Sequence, residues 1–243
     1  MSERFYVAPS ENLHIEITDA EARHISRVMR LGPGDKICLF DGKGRECEAT
    51  IDSVSKNKVT AVADNWVTRS VLAANPVTIY SALPKSDRLK FMVEKLTELG
   101  ATTLVPLATS RASVRPKPNT IAKMRRYVIE ASKQCGRNQL MIVHDECSVE
   151  EAVQQPPEGE LRFVCEPHNG TAFQPTSPGK LAPCNFLVGP EGGFSDAELE
   201  IALSNHWRPV HFGKSILRIE TAAMVACMAG NEMLRGAAQS PTG

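Results

Sequence analysis

Two short stretches in the last quarter of the chain carry residue types that can hold a small ligand. The first is Gly189-Pro190-Glu191-Gly192-Gly193, which follows the apolar run Phe186-Leu187-Val188. The second follows a short run from Pro209 to Phe212, opens at Gly213 and continues as Lys214-Ser215-Ile216-Leu217-Arg218-Ile219-Glu220-Thr221-Ala222. Glycine lets backbone amides and carbonyls come close to a ligand, and open α/β sheets bind ligands beyond the carboxyl ends of their strands. A phosphate is the usual guest of such loops. Here the Walker lysine and the Gly-x-Gly-x-x-Gly spacing are both missing, and Glu191 stands mid-loop, where it would repel a phosphate. The loops suit an uncharged or cationic ligand read through backbone groups. The same glycines also suit a plain strand-to-helix turn that needs them only for their φ angles.

The elements that must position these loops are legible around them. Ser195 with Glu198 three residues on forms a capping box before Leu199, Ile201, Ala202 and Leu203, so the first loop runs into a helix. Upstream, from Pro76, strands and helices alternate. Val77 to Leu83 reads as a strand, and Asp87 to Leu99 as a helix with Leu89, Met92, Val93, Leu96 and Leu99 at helical spacing and Gly100 past its end. Thr103 to Leu107 (strand), Ile121 to Cys135 (helix), Met141 to Val143 (strand), a helix capped by Ser148 and Glu151, and Leu161 to Cys165 (strand) follow. A Pro- and Gly-rich loop spans Pro167 to Pro183, and Glu220 to Leu234 is the last helix. This alternation predicts a mostly parallel sheet covered by helices.

The N-terminal part differs. Arg4 to Val7 reads as an edge strand, and Thr18 with Glu21 as a capping box for a helix presenting Ala22, Ile25, Val28 and Met29. Short alternating runs at Lys36 to Phe40, Arg45 to Val54 and Val59 to Ala63 predict a small β-rich domain. The uncharged small-residue stretch Val71 to Asn75 marks the boundary.

The net charge is zero, but it is unevenly spread. Residues 85–137 hold 12 Lys and Arg against 4 Asp and Glu, whereas residues 138–200 hold 2 against 11. A basic block in a neutral chain is the footprint expected for a phosphate backbone, and Arg111, Arg115 and Lys117 lie in a Pro-rich loop rather than along a helix face. Seven scattered cysteines without a Cys-x-x-Cys pair point to reduced thiols in a cytoplasm. The six histidines lack ligand spacing, so no metal is expected. No apolar run approaches the roughly 20 residues of a membrane span, and the first residues lack a signal-peptide core.

Four motifs occur together and in order: Glu94 to Gly100 (EKLTELG), Glu130 to Asn138 (EASKQCGRN), GPEGG, and Gly213 to Ala222 (GKSILRIETA). The ordered set resembles the 16S ribosomal RNA N3-uridine methyltransferase family, a branch of the SPOUT class that uses S-adenosylmethionine (SAM), and the likeness covers nearly the whole chain. It implies a PUA-like β-barrel over residues 1–72 and an α/β SPOUT domain over 73–243, with a C-terminal trefoil knot within about 185–226. It also implies a homodimer, to which Met224, Val225, Met228 and Met233 of the last helix can contribute. Core packing is an equal account of those four residues.

The resemblance assigns SAM to Leu187, Gly189, Pro190, Glu191 and Gly192, and to Gly213, Ser215, Ile216, Leu217 and Arg218. Uracil N3 must lose its proton to become a nucleophile, and a cation beside O2 and O4 stabilises the anion, a role for which Arg218 is the candidate. An ion pair between Arg218 and Glu220 that merely orders the loop is the alternative. Glu220 is a possible base and Thr221 a positioning residue. Arg4, Arg23, Arg27, Arg30, Arg111, Arg115, Arg137 and Asn138 are the candidate RNA contacts. Cys135 reads as a buried structural cysteine, since methylating a ring nitrogen needs no thiolate. The expected partner is 16S ribosomal RNA within the small subunit. A non-catalytic RNA-binding assembly factor and a SPOUT enzyme acting on ribose 2′-oxygen or guanine N1 are the competing readings.

Overall fold

A computed structural model describes residues 3–69, 76–174 and 182–238. The boundary expected at Val71 to Asn75 lies outside the described residues, as does part of the Pro167 to Pro183 loop. The chain divides into two compact units, Met1–Val71 with Ile129–Leu140, and Leu72–Val128 with Met141–Gly243.

The first unit is built on a six-stranded sheet. Its strands are β1 (Arg4–Tyr6), β2 (His14–Thr18), β3 (Lys36–Phe40), β4 (Arg45–Val54), β5 (Lys58–Ala63) and β6 (Val67–Thr68), in the order β1-β3-β4-β5-β2 with β6 beside β4. β1 and β3 run parallel and the other pairs antiparallel. Alternate residues face inward, so Ile15 and Ile17 join Ile37, Leu39, Ala49, Ile51, Val59 and Ala61 in one core. The register of β4 against β5 shifts between Ile51 and Ser53.

Here the sequence misleads at one place. The helix α1 (Asp19–Arg23) forms, but Thr18 caps nothing. Its hydroxyl donates to the Asp19 carboxylate at 3.1 Å, and Glu21 takes the Lys133 ammonium at 3.1 Å. With no box to hold the first turn, α1 passes into a π-helical turn at His24–Val28, with Ala22 and Ile25 buried and Val28 left 68% exposed. The strand β2 just before it was not expected, although His14-Ile15-Glu16-Ile17-Thr18 alternates.

The second unit is a parallel sheet. Its strands are β7 (Val77–Ser81), β8 (Thr103–Ala108), β9 (Ile142–Val143), β10 (Cys147–Ser148), β11 (Leu161–Cys165), β12 (Thr171–Ala172), β13 (Cys184–Val188) and β14 (Arg208–His211). Their order is β10-β8-β7-β13-β11-β14-β12, with β9 beside β8. The helices are α2 (Ser86–Glu98), α3 (Pro118–Cys135, whose residues from Ile129 on count with the first unit), α4 (Val149–Ala152), α5 (Asp196–Ser204) and α6 (Ile219–Ala238). Five consecutive buried residues make up β13, as a strand covered on both faces requires. On one face Leu187 packs with Trp207, Phe194, Ala202 and Val153, and the Trp207 indole donates to the Val153 carbonyl at 3.2 Å. On the other, Phe186 meets α6 at Gly230, where an added Cβ would lie 3.1 Å from the Phe186 ring. Helix α2 packs on α6, with Arg88 near the start of one standing 3.9 Å from Glu220 near the start of the other.

Candidate ligand site between three strand-end loops

A cavity of about 350 Å³ opens at the carboxyl ends of β11, β13 and β14. Three loops ring it. The first, Gly189 to Phe194, leaves β13. A turn closes it, the Gly193 amide donating to the Pro190 carbonyl at 2.9 Å, and Gly193 sits at φ +69°, which glycine adopts without strain. A Cβ on Gly189 would stand 3.1 Å from the Phe194 ring, so the ring seals the loop from below only because residue 189 has no side chain. The second loop, Gly213 to Leu217, leaves β14, with Gly213 at φ +149°. The third, Glu166 to Asn169, leaves β11.

The first loop is braced from two sides. Ser195 and Glu198 form the full capping box at the start of α5. The Glu198 carboxylate also takes the Ser110 amide at 2.7 Å and its hydroxyl at 3.1 Å. Arg111, in the loop after β8, donates from Nη1 to the carbonyls of Gly192 at 3.2 Å and Phe194 at 3.0 Å. This arginine, expected to reach RNA, is therefore engaged in holding the loop, and it also lines the cavity.

Among the expected cofactor residues, Gly189, Pro190, Glu191, Gly192, Gly213, Ser215, Ile216 and Leu217 line the cavity together. Leu187 does not; it is fully buried in β13 beneath the loop. Arg218 is exposed and follows directly on the lining residue Leu217, while Ile219 and Ala222 present the start of α6 to the cavity. Glu220 and Thr221 are not among its walls. Glu220 is 6% exposed and faces Arg88 of α2 at 3.9 Å, so the alternative of an ion pair with Arg218 gives way to a pairing between helices. Arg88 was missed because only the packing of α2 on α6 brings residues so distant in sequence together.

The third loop was missed as well. Its signal is a strand, Leu161 to Cys165, ending in Glu166-Pro167-His168-Asn169-Gly170, which has the turn residues of the other two loops but no glycine pair. Burial pushes the thiol of Cys165, which lines the cavity, up to about 12, so it stays protonated. Cys135 is exposed at the end of α3 rather than buried, because the helix stops there.

In the N-terminal unit the candidate RNA contacts divide. Arg23, Arg27 and Arg30 are exposed on α1 and the turn after it. Arg4 is turned inward to Glu46 at 2.9 Å and to Asn138, whose amide also donates to Glu46 at 2.9 Å. Burial would push the Glu46 carboxyl up, but Arg4 and Asn138 outweigh this and hold it below the usual carboxylate range. Arg137 and Asn138 are 5% and 2% exposed, so with Arg4 they brace the unit instead of presenting themselves at its surface. Arg115 is exposed in the second unit.

Residues 72–231 match the family model of an RNA methyltransferase domain, and residues 17–64 match that of an RNA methyltransferase PUA domain. The ribosomal RNA small subunit methyltransferase E of Bacillus subtilis is 32% identical over 234 residues, covering 90% of this chain and 91% of the relative. That of Synechocystis is 31% identical, covering 96% of this chain and 78% of the relative. Among solved structures, the ribosomal RNA small subunit methyltransferase E of Neisseria gonorrhoeae bound to S-adenosyl methionine superposes with a TM-score of 0.86 at 28% identity, covering 94% of this chain and 96% of that one. A Legionella pneumophila protein solved with SAM gives 0.87 at 26% identity, covering 95% and 97%. The two-part α/β architecture with its PUA-like N-terminal sheet, the ring of three loops and these matches over nearly the full length agree: the chain belongs to the ribosomal RNA small subunit methyltransferase E family.

Proposed function

We propose that this chain is a SAM-dependent methyltransferase that modifies N3 of a uridine in 16S ribosomal RNA, acting on the small ribosomal subunit as a cytoplasmic homodimer. The observation that carries the reading is the cavity enclosed by the loops after β11, β13 and β14. Its chemistry fits SAM. The carboxylates of Glu166, Glu191 and Asp196 line it against Arg111, whose Nη1 already serves two loop carbonyls, so a cationic ligand is favoured over a phosphate. Backbone groups of Gly189 to Gly192 and Gly213 to Leu217 suit an adenine edge, and Ile216 and Leu217 suit its faces. The SAM-bound relatives from Neisseria and Legionella support the same ligand.

Bound SAM supplies a methyl group on a positively charged sulfur. The chain's own task is to hold the uridine in line and stabilise its deprotonated ring. We assign the second part to Arg218, whose side chain is exposed at the mouth of the second loop. To Glu220, paired with Arg88, and to Thr221, both in the first turn of α6, we assign the orientation of Arg218. Residues 1–72 act as the RNA-contacting domain through Arg23, Arg27 and Arg30, and residues 73–243 as the methyltransferase domain, with Arg115 also facing RNA. On the family likeness we place a trefoil knot within about residues 185–226. The exposed Met228 and half-buried Met224 and Val225 suit a dimer contact, whereas Met233 is core.

Calorimetric titration tests the cofactor reading, with SAM binding at micromolar concentration and ATP not binding. Mass mapping of small subunits from cells lacking the protein, before and after incubation with enzyme and SAM, then locates the methylated base. Tight RNA binding without SAM binding would replace the enzyme by an assembly factor.

A further inference from the structure

Strand β11 lies between β13 and β14, so its carboxyl end stands between the two glycine loops. The residue at that point is Glu166, which is 9% exposed and lines the cavity. Its backbone is locked. The Glu166 amide donates to the Val210 carbonyl at 2.9 Å, and the Glu166 carbonyl accepts from the Gly170 amide at 3.2 Å. A Cβ on Gly170 would stand 2.5 Å from that carbonyl oxygen and 2.8 Å from the Val210 carbonyl carbon, so only glycine lets the loop fold back here. The side chain is locked too: Oε1 accepts from the His168 amide at 2.9 Å. No ion pair to Glu166 occurs among the described residues. A nearly buried carboxylate held in one orientation with no cation is costly unless a ligand uses it.

We infer that Glu166 reads the adjacent 2′- and 3′-hydroxyls of the ribose of the bound nucleoside, an inference that rests on the SAM reading above. In SAM the ribose lies between the base and the amino acid. A ligand reaching from one glycine loop to the other brings its middle over the end of β11. Hydroxyls donate strongly to a carboxylate, and a carboxylate beyond a parallel strand reads ribose in dinucleotide-binding sheets by the same chemistry. The exposed carboxylates of Glu191 and Asp196 at the rim serve the ammonium at the far end of the ligand.

The test is calorimetry with S-adenosylhomocysteine, its 2′-deoxy counterpart and 5′-methylthioadenosine, which keeps the ribose but lacks the amino acid. The wild-type protein is expected to prefer the ribonucleoside over the deoxy form at least tenfold. In Glu166→Gln and Glu166→Ala that preference falls to within about twofold, and methylthioadenosine weakens in parallel with the homocysteine compound. Glu166→Gln keeps the contact to the His168 amide, and its melting temperature confirms that the loop is intact. A preference that survives in either variant overturns the inference, as does a loss confined to the homocysteine compound, which would assign Glu166 to the ammonium. Failure of the wild-type protein to bind SAM at all would instead remove the reading beneath it.

Discussion

In the proposed reaction, Arg218 stands where the two halves of the chemistry have to meet. It follows the cavity-lining Leu217 and precedes the buried Ile219, so its backbone is fixed at the start of α6 while its side chain is exposed. A cation placed in this way contributes when charge develops on the uracil ring and little before it. Arg218→Ala is therefore expected to lower kcat by about 100-fold, on the scale of losing one charge-stabilising donor, while SAM affinity changes less than about threefold. Rapid-quench turnover and calorimetry on the same preparation separate the two quantities. Equal loss of both would make Arg218 part of the cofactor site. The motif brought Arg218 into view by family likeness. Its true neighbourhood came only with the fold, because Glu220 answers to Arg88 in α2 and not to the arginine two residues away. Leu187 fails as a ligand contact for a similar reason: strand alternation decides that it points into the core with Trp207 while the next residue, Val188, lines the cavity.

At the scale of elements, the α5 cap does more than start a helix. Four donors from Ser195 and Ser110 converge on the Glu198 carboxylate, tying the loop after β8 to the loop after β13. Burial alone would push this carboxyl up, but the backbone and hydroxyl donors of Ser195 and Ser110 outweigh it and hold it below the usual carboxylate range. A carboxyl whose pKa is lower when folded contributes stability that is complete above its unfolded value near 4.5 and is lost as pH falls through the folded value. Glu198→Ala is thus expected to cost about 2 kcal/mol at pH 7 and progressively less below about pH 4. Thermal melts of both proteins from pH 7 to pH 3 check this, and a gap that does not change with pH would contradict it. Both capping boxes in the second unit were legible in sequence, because Ser148–Glu151 and Ser195–Glu198 act within one helical turn. The same pattern at Thr18 and Glu21 failed where Lys133 competed for the glutamate, which no local rule can foresee. The third loop escaped notice because its function depends on β11 lying between β13 and β14, an order fixed by sheet pairing alone.

For the whole molecule, a net charge of zero conceals local clusters of arginine. The exposed Arg23, Arg27 and Arg30 lie within eight consecutive residues of the N-terminal unit. Reversing Arg27 and Arg30 to Glu is expected to weaken binding to small subunits and to flatten the log–log salt dependence by about 2, one released counterion per lost phosphate contact. An unchanged slope measured by filter binding at several salt concentrations would take these residues out of the interface, and methylthioadenosine binding serves as the control for intact folding. The segment Ile129–Leu140, counted with the N-terminal unit, has a separate consequence. It supplies Lys133 to Glu21 and Asn138 to Arg4 and Glu46, and Gln139 bridges to Lys43. The N-terminal unit is therefore synthesised well before the segment that completes it. Until Leu140 has emerged, Glu21 lacks Lys133 and Glu46, although paired with Arg4 and Arg69, lacks Asn138, so the nascent sheet waits on residues translated about sixty codons after its last strand. A polypeptide of residues 1–72 alone should give broad amide resonances and heightened proteolysis, and a peptide of residues 129–140 should sharpen the one and slow the other. Synthesis and assembly run in different orders here.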